Sequence, residues 1–148
     1  MNWKDQIDDI EIWLSKKGYD VIYSAGVEDC VYMADKTMHI NSRCSLETQY
    51  YTMLHECGHI LIMCGESDWK KEIPHHASAV VDGRIERGKA FKVSLVAEEI
   101  EAWRRGKRLG KKYGHYINEN KYNTIVTDCV WSYIVHVATP EKKEVTFP

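Results

Sequence analysis

Five consecutive residues, His55-Glu56-Cys57-Gly58-His59, constrain the folding of this chain more than any other feature of the sequence. On an α-helix, residues four positions apart lie on the same face, one turn above each other. Two imidazole rings in that relation can bind one metal ion, and the glutamate between them can take a proton from a water molecule at the metal. The pattern is typical of zinc hydrolases, most often metallopeptidases.

The residues around this motif have the spacing of a buried helix. From Leu46 to Cys64, apolar side chains recur at helical intervals and no proline interrupts them. Ser45 is placed to cap the first turn, and Gly65 is placed to end the helix. A buried helix has little reason to stack two histidines around a glutamate unless they share a ligand. The context therefore favours a metal site over two solvent-facing histidines.

The composition excludes several classes of function. The chain has 148 residues, which fits a single domain over 1–148, with 44% hydrophobic and 28% charged residues. A formal net charge of -2 gives no electrostatic reason to expect nucleic-acid binding. No apolar run reaches the roughly 20 residues of a membrane span, and the first residues do not resemble a secretion signal. The five cysteines lack Cys-x-x-Cys spacing, so we expect reduced thiols in a cytoplasmic protein.

Apolar periodicity and turn residues divide the chain into a short sheet followed by helices. The predicted elements are a helix over 3–16, strands over 19–23, 30–34 and 38–41, the metal-motif helix over 46–64, and helices over 92–112 and 118–137. Residues 65–91 are expected to be irregular, and the tail from about 139 is expected to be loose. This order predicts an α+β fold in which a small N-terminal sheet with antiparallel strands packs on the metal-motif helix and C-terminal helices follow.

The strand predicted just before the metal-motif helix, from Met38 to Asn41, has two interpretations. If its edge is open above the metal, it can hold an extended peptide by backbone hydrogen bonds. Otherwise it is simply a short edge strand. Both interpretations stay open at this point.

A catalytic zinc ion usually has three protein ligands and a water molecule, so a third ligand must lie outside the motif. The longer pattern His-Glu-x-x-His-x-x-Gly-x-x-His is absent, because positions 62 and 65 are Ile and Gly. In the helix over 92–112, Glu99 falls on the apolar face, Glu98 lies at its border and Glu101 points towards solvent. A carboxylate on an apolar face is costly without a partner. Glu99 is therefore the predicted ligand, and Glu98 is the second choice.

His75 and His76 are the rival candidates for the third ligand. They follow His59 by 16 and 17 residues, beside Pro74 in the irregular segment, and either would complete a site of three histidines. The other interpretation of this pair is an exposed loop.

The segment Thr52-Met-Leu-His-Glu-Cys-Gly-His-Ile-Leu61, preceded by Met38-His-Ile-Asn41, resembles the minimal zincin metallopeptidases of the ImmA/IrrE-like and SprT-like groups. The ImmA/IrrE-like resemblance implies a glutamate ligand in a Glu-x-Glu-Ala segment, which residues 99–102 match. Trp103 then stands where such proteins often carry the Asp or Asn that orients a histidine ligand. The SprT-like resemblance implies a histidine ligand soon after the helix, as at 75 and 76. Residues 98–106 also resemble small metallopeptidases encoded by bacteriophages, which would place the protein in a host cytoplasm.

These observations predict a Zn²⁺-dependent metallopeptidase that acts on a protein or peptide. His55, His59 and Glu99 would hold the metal, and Glu56 would be the general base. The candidate hydrogen-bond donors to the developing oxyanion are Tyr113, His115 and Tyr116, which follow the Glu99 helix. Two other functions are compatible with the same residues. Zinc held by four protein ligands could stabilise a partner-binding protein without catalysis, and a zinc hydrolase could act on a non-peptide amide.

Overall fold

A three-stranded sheet near the N-terminus and four helices make up the described part of the chain. The computed structural model describes residues 2–64 and 88–139. In chain order the elements are α1 (Trp3–Lys16), β1 (Asp20–Ser24), β2 (Cys30–Tyr32), β3 (Thr37–Asn41), α2 (Leu46–Met63), α3 (Lys89–Lys112) and α4 (Glu119–Ala138). The predicted α+β class is confirmed, because a small mixed sheet precedes and packs on the helix that carries the metal motif.

The helix boundaries follow capping residues in the sequence. The Asn2 side chain accepts a hydrogen bond from the backbone N–H of Asp5 at 2.9 Å and so caps α1. Ser45 caps α2 as predicted, by accepting from the backbone N–H of Thr48 at 3.3 Å. After α1, Gly18 adopts a φ of 85°, which lets the chain turn into β1. These local signals explain why the predicted helices lie close to the observed ones.

One predicted helix boundary is wrong, and two predicted segments fall largely outside the described residues. Helix α3 begins at Lys89 rather than at 92, so residues 89–91 of the segment predicted to be irregular are helical. The rest of that segment, 65–87, and the tail from 140 lie outside the described residues.

The sheet has the strand order β1-β3-β2, so β3 is its central strand. Met38 of β3 pairs with Val21 of β1 in parallel and with Val31 of β2 in antiparallel fashion. The prediction that Met38 to Asn41 forms an edge strand is therefore wrong in both of its interpretations. The chain crosses from β1 to the far side of the sheet before it returns to the middle, which leaves β2 as the edge strand that contacts α2.

Helix α2 lies at the centre of the core. Helix α1 and strand β3 cover it, and Met38 and Ile40 of β3 are fully buried. Its most extensive contact is with α3. The fully buried apolar side chains of α2 extend around the helix and are Tyr50, Tyr51, Met53, Leu54, Cys57 and Ile60. A polar side chain on such a helix must find its partner inside the protein. The two histidines of the motif find their partners, Glu98 and Glu99, on α3.

Two glycines bring α2 and α3 into unusually close contact. A Cβ atom built on Gly58 would lie 1.8 Å from the carbonyl oxygen of Ala102, and one built on Gly106 would lie 2.1 Å from the carbonyl oxygen of Leu54. Real Cβ atoms essentially never approach another atom within 3.0 Å. The glycine inside the metal motif therefore has a packing function: it lets the backbone of α3 reach the metal-motif helix.

Helix α4 is the least buried of the four helices. It packs on α3, where the Tyr122 hydroxyl donates a hydrogen bond to the backbone carbonyl of Trp103 at 2.6 Å. Its opposite side exposes Trp131, Ile134 and Val135. In spite of this exposed apolar surface, none of the helices within 2–64 and 88–139 has both the length and the apolar character to span a bilayer.

Candidate metal centre

The three side chains predicted to hold a metal come together where α2 crosses α3. Nε2 of His55 lies 3.2 Å from Nε2 of His59. Glu99 faces both rings: its Oε1 is 2.7 Å from Nε2 of His55, and its Oε2 is 3.3 Å from Nε2 of His59. The three residues thus offer one ligand atom each, and these atoms lie within 4.8 Å of one another.

These distances fit a tetrahedral zinc ion. Zinc–ligand bonds of about 2.0 to 2.1 Å at the tetrahedral angle separate neighbouring ligand atoms by about 3.3 Å. The His55–His59 and His59–Glu99 separations of 3.2 and 3.3 Å agree with that value. The 2.7 Å contact between His55 and Glu99 is shorter and has the length of a hydrogen bond. Two imidazoles and one carboxylate are a familiar ligand set for catalytic zinc, and they leave a fourth position for water.

Glu99 is the more deeply buried of the two adjacent glutamates on α3. It is 2% exposed, as its predicted place on the apolar face of α3 requires. Burial opposes the ionisation of Glu99, but hydrogen bonds from His55 and His59 outweigh it and hold the pKa of Glu99 well below its usual range. The carboxylate therefore keeps its charge although it is almost fully buried, and charges attract a cation more strongly in such a place than in bulk water.

Glu98 supports His59 from the side away from the other ligands. Its Oε1 lies 3.5 Å from Nδ1 of His59, the ring nitrogen that does not face Glu99. A carboxylate next to the second nitrogen of a histidine ligand fixes the orientation of the ring. Burial opposes the charged form of His59, but its bonds to Glu98 and Glu99 outweigh burial and raise the pKa to about 10. Glu98 is buried, although the sequence placed it at the border of the apolar face.

His55 has a different environment at its second nitrogen. Its Nδ1 is buried and has no hydrogen-bond partner among the described residues. The ring instead stacks on Trp103, with ring centroids 4.1 Å apart and an angle of 25° between the planes. Trp103 therefore covers the face of the imidazole, while the edge at Nδ1 lacks the carboxylate or carbonyl that usually bonds a histidine ligand there.

Glu56 lies beside the three ligands without joining them. Its Oε1 is 3.8 Å from Nε2 of His55, and the residue is 6% exposed. Burial is the main reason that the pKa of Glu56 is raised to about 8, and the negative charge of Glu99 adds to it. A carboxyl group with this pKa can accept a proton and return it near neutral pH, as a general base must.

A cleft of about 660 Å³ opens onto this group. Strand β2 forms one wall, α2 forms the floor, and α3 and α4 form the other wall. The carboxylates that line the cleft are Glu28, Asp29, Glu56, Glu98 and Glu99, and no Lys or Arg among the described residues lines it. Its volume is in the range of sites that hold small molecules or a few side chains of a peptide.

Tyr113, His115 and Tyr116 do not line the cleft, so the prediction that one of them donates to an oxyanion there is wrong. His115 is buried elsewhere, with its Nδ1 2.8 Å from the Tyr50 hydroxyl and its Nε2 2.8 Å from Oδ2 of Asp9. The physical reason is the length of α3. At about 1.5 Å per residue, the end of that helix lies about 20 Å from Glu99.

Sequence reasoning missed three residues that α4 brings to the cleft, Cys129, Ser132 and Tyr133. Tyr133 and Cys129 stand four positions apart on α4 and both line the cleft. The Cys129 thiol donates a hydrogen bond to Oε1 of Glu99 at 3.4 Å. Burial, followed by the charge of Glu99, raises the pKa of Tyr133 above its usual value, so its hydroxyl keeps the proton that it can donate. The periodicity of α4 identified a helix but could not show that this face meets Glu99.

The rival ligands His75 and His76 lie outside the described residues. Comparisons of the chain with protein-family models, with curated proteins and with solved structures find no match. The function of this chain must therefore be inferred from the site itself.

Proposed function

We propose that this protein is a zinc-dependent peptidase. The observation that carries the proposal is the convergence of His55, His59 and Glu99 next to Glu56, at the bottom of a cleft. A site that only stabilised the fold would need four protein ligands and would have no use for a carboxyl group beside them. Glu56 is a carboxyl group beside the ligands, and its raised pKa suits proton transfer.

Each residue has a defined task in this proposal. His55, His59 and Glu99 would hold the zinc ion, which when bound supplies Lewis acidity and lowers the pKa of water. Glu56 takes the proton from the attacking water and delivers it to the leaving nitrogen. Glu98 keeps the ring of His59 in place through Nδ1.

Tyr133 replaces the donors expected from the sequence. It lines the cleft, and its pKa responds to the charges of Glu99 and Glu56. A protonated hydroxyl in this position can donate to the oxygen of the scissile carbonyl as negative charge develops there. We therefore assign oxyanion stabilisation to Tyr133.

Strand β2 is the part of the sheet that suits an extended substrate. It is an edge strand, and Cys30 and Val31 of β2 line the cleft. An extended peptide can add to such an edge by backbone hydrogen bonds, with alternate side chains directed into the cleft. The proposal includes a reducing cytoplasmic compartment, because all five cysteines are free.

Zinc content and hydrolysis of a mixed peptide library, measured on the same samples, test the proposal. We expect about one zinc per chain in the wild type and in Glu56→Gln, and loss of zinc in His59→Ala and Glu99→Gln. Hydrolysis should be present in the wild type and absent from all three variants. A His75→Ala/His76→Ala double variant serves as the control and should keep both zinc and activity.

Three results would contradict the proposal. An active Glu56→Gln variant would remove the general base. Loss of zinc from the His75/His76 double variant would move the site to the segment that follows α2. A wild type that binds no zinc, even after zinc is added, would exclude a zinc enzyme.

A further inference from the structure

Among the described residues, no carboxylate bonds the second nitrogen of His55. His59 has Glu98 at its second nitrogen, but Nδ1 of His55 makes no hydrogen bond within the described residues. Glu99 receives its support from Cys129, on a different helix. The support on this side is therefore an aromatic ring and a thiol.

We propose that Trp103 and Cys129 are positioning residues that orient His55 and Glu99 for metal binding. This inference rests on the proposed function, since it assigns a task to residues that surround the same ligands. Trp103 acts on the imidazole of His55 by stacking, and Cys129 acts on the carboxylate of Glu99 by donating its S–H.

Trp103 is itself held firmly, which it must be if it is to orient another ring. The residue is 3% exposed, and its plane lies at 25° to that of His55 with centroids 4.1 Å apart. The Tyr122 ring contacts the Trp103 ring edge-on, with centroids 5.6 Å apart. The Tyr122 hydroxyl also donates a hydrogen bond to the backbone carbonyl of Trp103. A stacked ring restricts the tilt of the imidazole, although it leaves Nδ1 without an acceptor. It therefore replaces only part of what a carboxylate would do.

Cys129 fixes which oxygen of Glu99 faces which histidine. Its Sγ lies 3.4 Å from Oε1, the same oxygen that is 2.7 Å from His55, while Oε2 faces His59. A donor on Oε1 opposes rotation of the carboxylate about its last bond, and so keeps Oε2 directed at the site. Because Cys129 belongs to α4, its S–H also joins a third helix to the two that carry the ligands.

A role in packing alone predicts different results from a role as a donor, and a matched pair of variants separates them. Cys129→Ser keeps a hydroxyl donor in nearly the same volume, whereas Cys129→Val fills the space without a donor. Cys44→Val is the control, because Cys44 lies between β3 and α2 and does not line the cleft. For the ring, Trp103→Phe keeps a stacking surface and Trp103→Leu removes it.

The measurements are zinc affinity by competition with a chelator and the visible absorption spectrum of the Co²⁺-loaded protein. Loss of a residue that orients a metal ligand typically weakens binding by about 10- to 100-fold. We expect losses of about tenfold or more in Cys129→Val and Trp103→Leu, each with a changed Co²⁺ spectrum. Cys129→Ser and Trp103→Phe should recover most of the affinity, and Cys44→Val should match the wild type. Circular dichroism confirms that each variant is folded.

Wild-type affinity and an unchanged Co²⁺ spectrum in folded Cys129→Val and Trp103→Leu would overturn the inference and leave the proposed function intact. Equal losses in Cys129→Ser and Cys129→Val would assign Cys129 to packing and overturn its donor role. A protein that binds zinc with the expected pattern but hydrolyses no peptide would contradict the proposed function alone. A wild type without metal affinity would contradict both.

Discussion

The close crossing of α2 and α3 at Gly58 leads to a prediction that can be worked out from the structure. In Gly58→Ala, the new Cβ would lie 1.8 Å from the carbonyl oxygen of Ala102, and contacts below 3.0 Å essentially do not occur. The two backbones must therefore separate locally by at least 1.2 Å. Backbone atoms form this contact, so no side chain can rotate away to relieve it.

Two opposing effects set the stability of this variant. Alanine in place of glycine inside a helix stabilises by about 1 kcal/mol. Overpacking of a close contact costs about 1 to 3 kcal/mol and exceeds that gain when backbone must move. Because backbone atoms must move, we take the cost at the upper end of that range and expect a net loss of about 2 kcal/mol, which lowers the melting temperature by about 6 °C in a chain of this size.

The same displacement reaches the metal ligands. Glu99 lies on α3 within one turn of Ala102, while His55 and His59 flank Gly58 on α2. A shift of 1.2 Å is several times the tolerance of about 0.2 Å for a metal–ligand bond. We expect zinc affinity to fall at least tenfold.

Thermal unfolding of the chelator-treated protein and zinc competition on the folded protein measure the two effects separately. Thr127→Ala, at an exposed position in α4, is the control and should change neither quantity appreciably. A Gly58→Ala variant with an unchanged melting temperature and wild-type zinc affinity would refute the reasoning, because the helices would then have room that the structure denies them.

Three further predictions concern the cleft. In chelator-treated protein, the pKa of His59 is raised to about 10, so the stability it contributes is present below about pH 6.5 and is lost as the pH rises to 10. Urea titrations from pH 6.5 to 10 should show this decline, and Glu98→Gln should flatten it; an equal slope in both proteins would contradict the assignment. Tyr133→Phe should lower kcat by about 100-fold or more with zinc content unchanged, whereas a normal kcat would exclude the tyrosine as oxyanion donor. Zinc-loaded Glu56→Gln keeps four cleft carboxylates against the two positive charges of zinc, so it should bind a Lys-containing peptide more tightly than its Glu counterpart in fluorescence anisotropy, and Glu28→Gln/Asp29→Asn should reduce the difference. Equal binding of the two peptides would refute that charge preference.

The local part of the structure could be predicted from the sequence. Ser45 and the apolar repeat behind it define α2, and Glu99 stands on the buried face of α3 where its helical position placed it. These features depend on residues within one or two helical turns, so periodicity contains the information. The convergence of Glu99 with His55 and His59 followed from the additional argument that a buried carboxylate needs a partner.

The predictions that were wrong concern features that depend on contacts between segments distant in the sequence. The strand order could not be derived from alternation, because a pattern of period two does not say which neighbours a strand has. Glu101 illustrates the same limit: it was expected to face solvent, but Arg105 bonds it at 3.0 Å and it is largely covered. Tyr133 and Cys129 reach the cleft only because α4 returns along α3. The loop between α3 and α4 sets the direction of α4, and no motif in that loop predicts this direction.

The order of the strands also has a consequence for how the protein folds. The turn between β2 and β3 spans four residues, whereas β1 joins β3 only after an excursion of twelve. Loop-closure entropy makes the second pairing costlier by about 1 kcal/mol before any side chain packs. The β2–β3 hairpin should therefore be structured early in the folding transition state, and β1 should dock later. One wall of the cleft thus arises from local contacts, while the ligand on α3 reaches its place only when distant segments have closed, so the site is completed among the last events of folding.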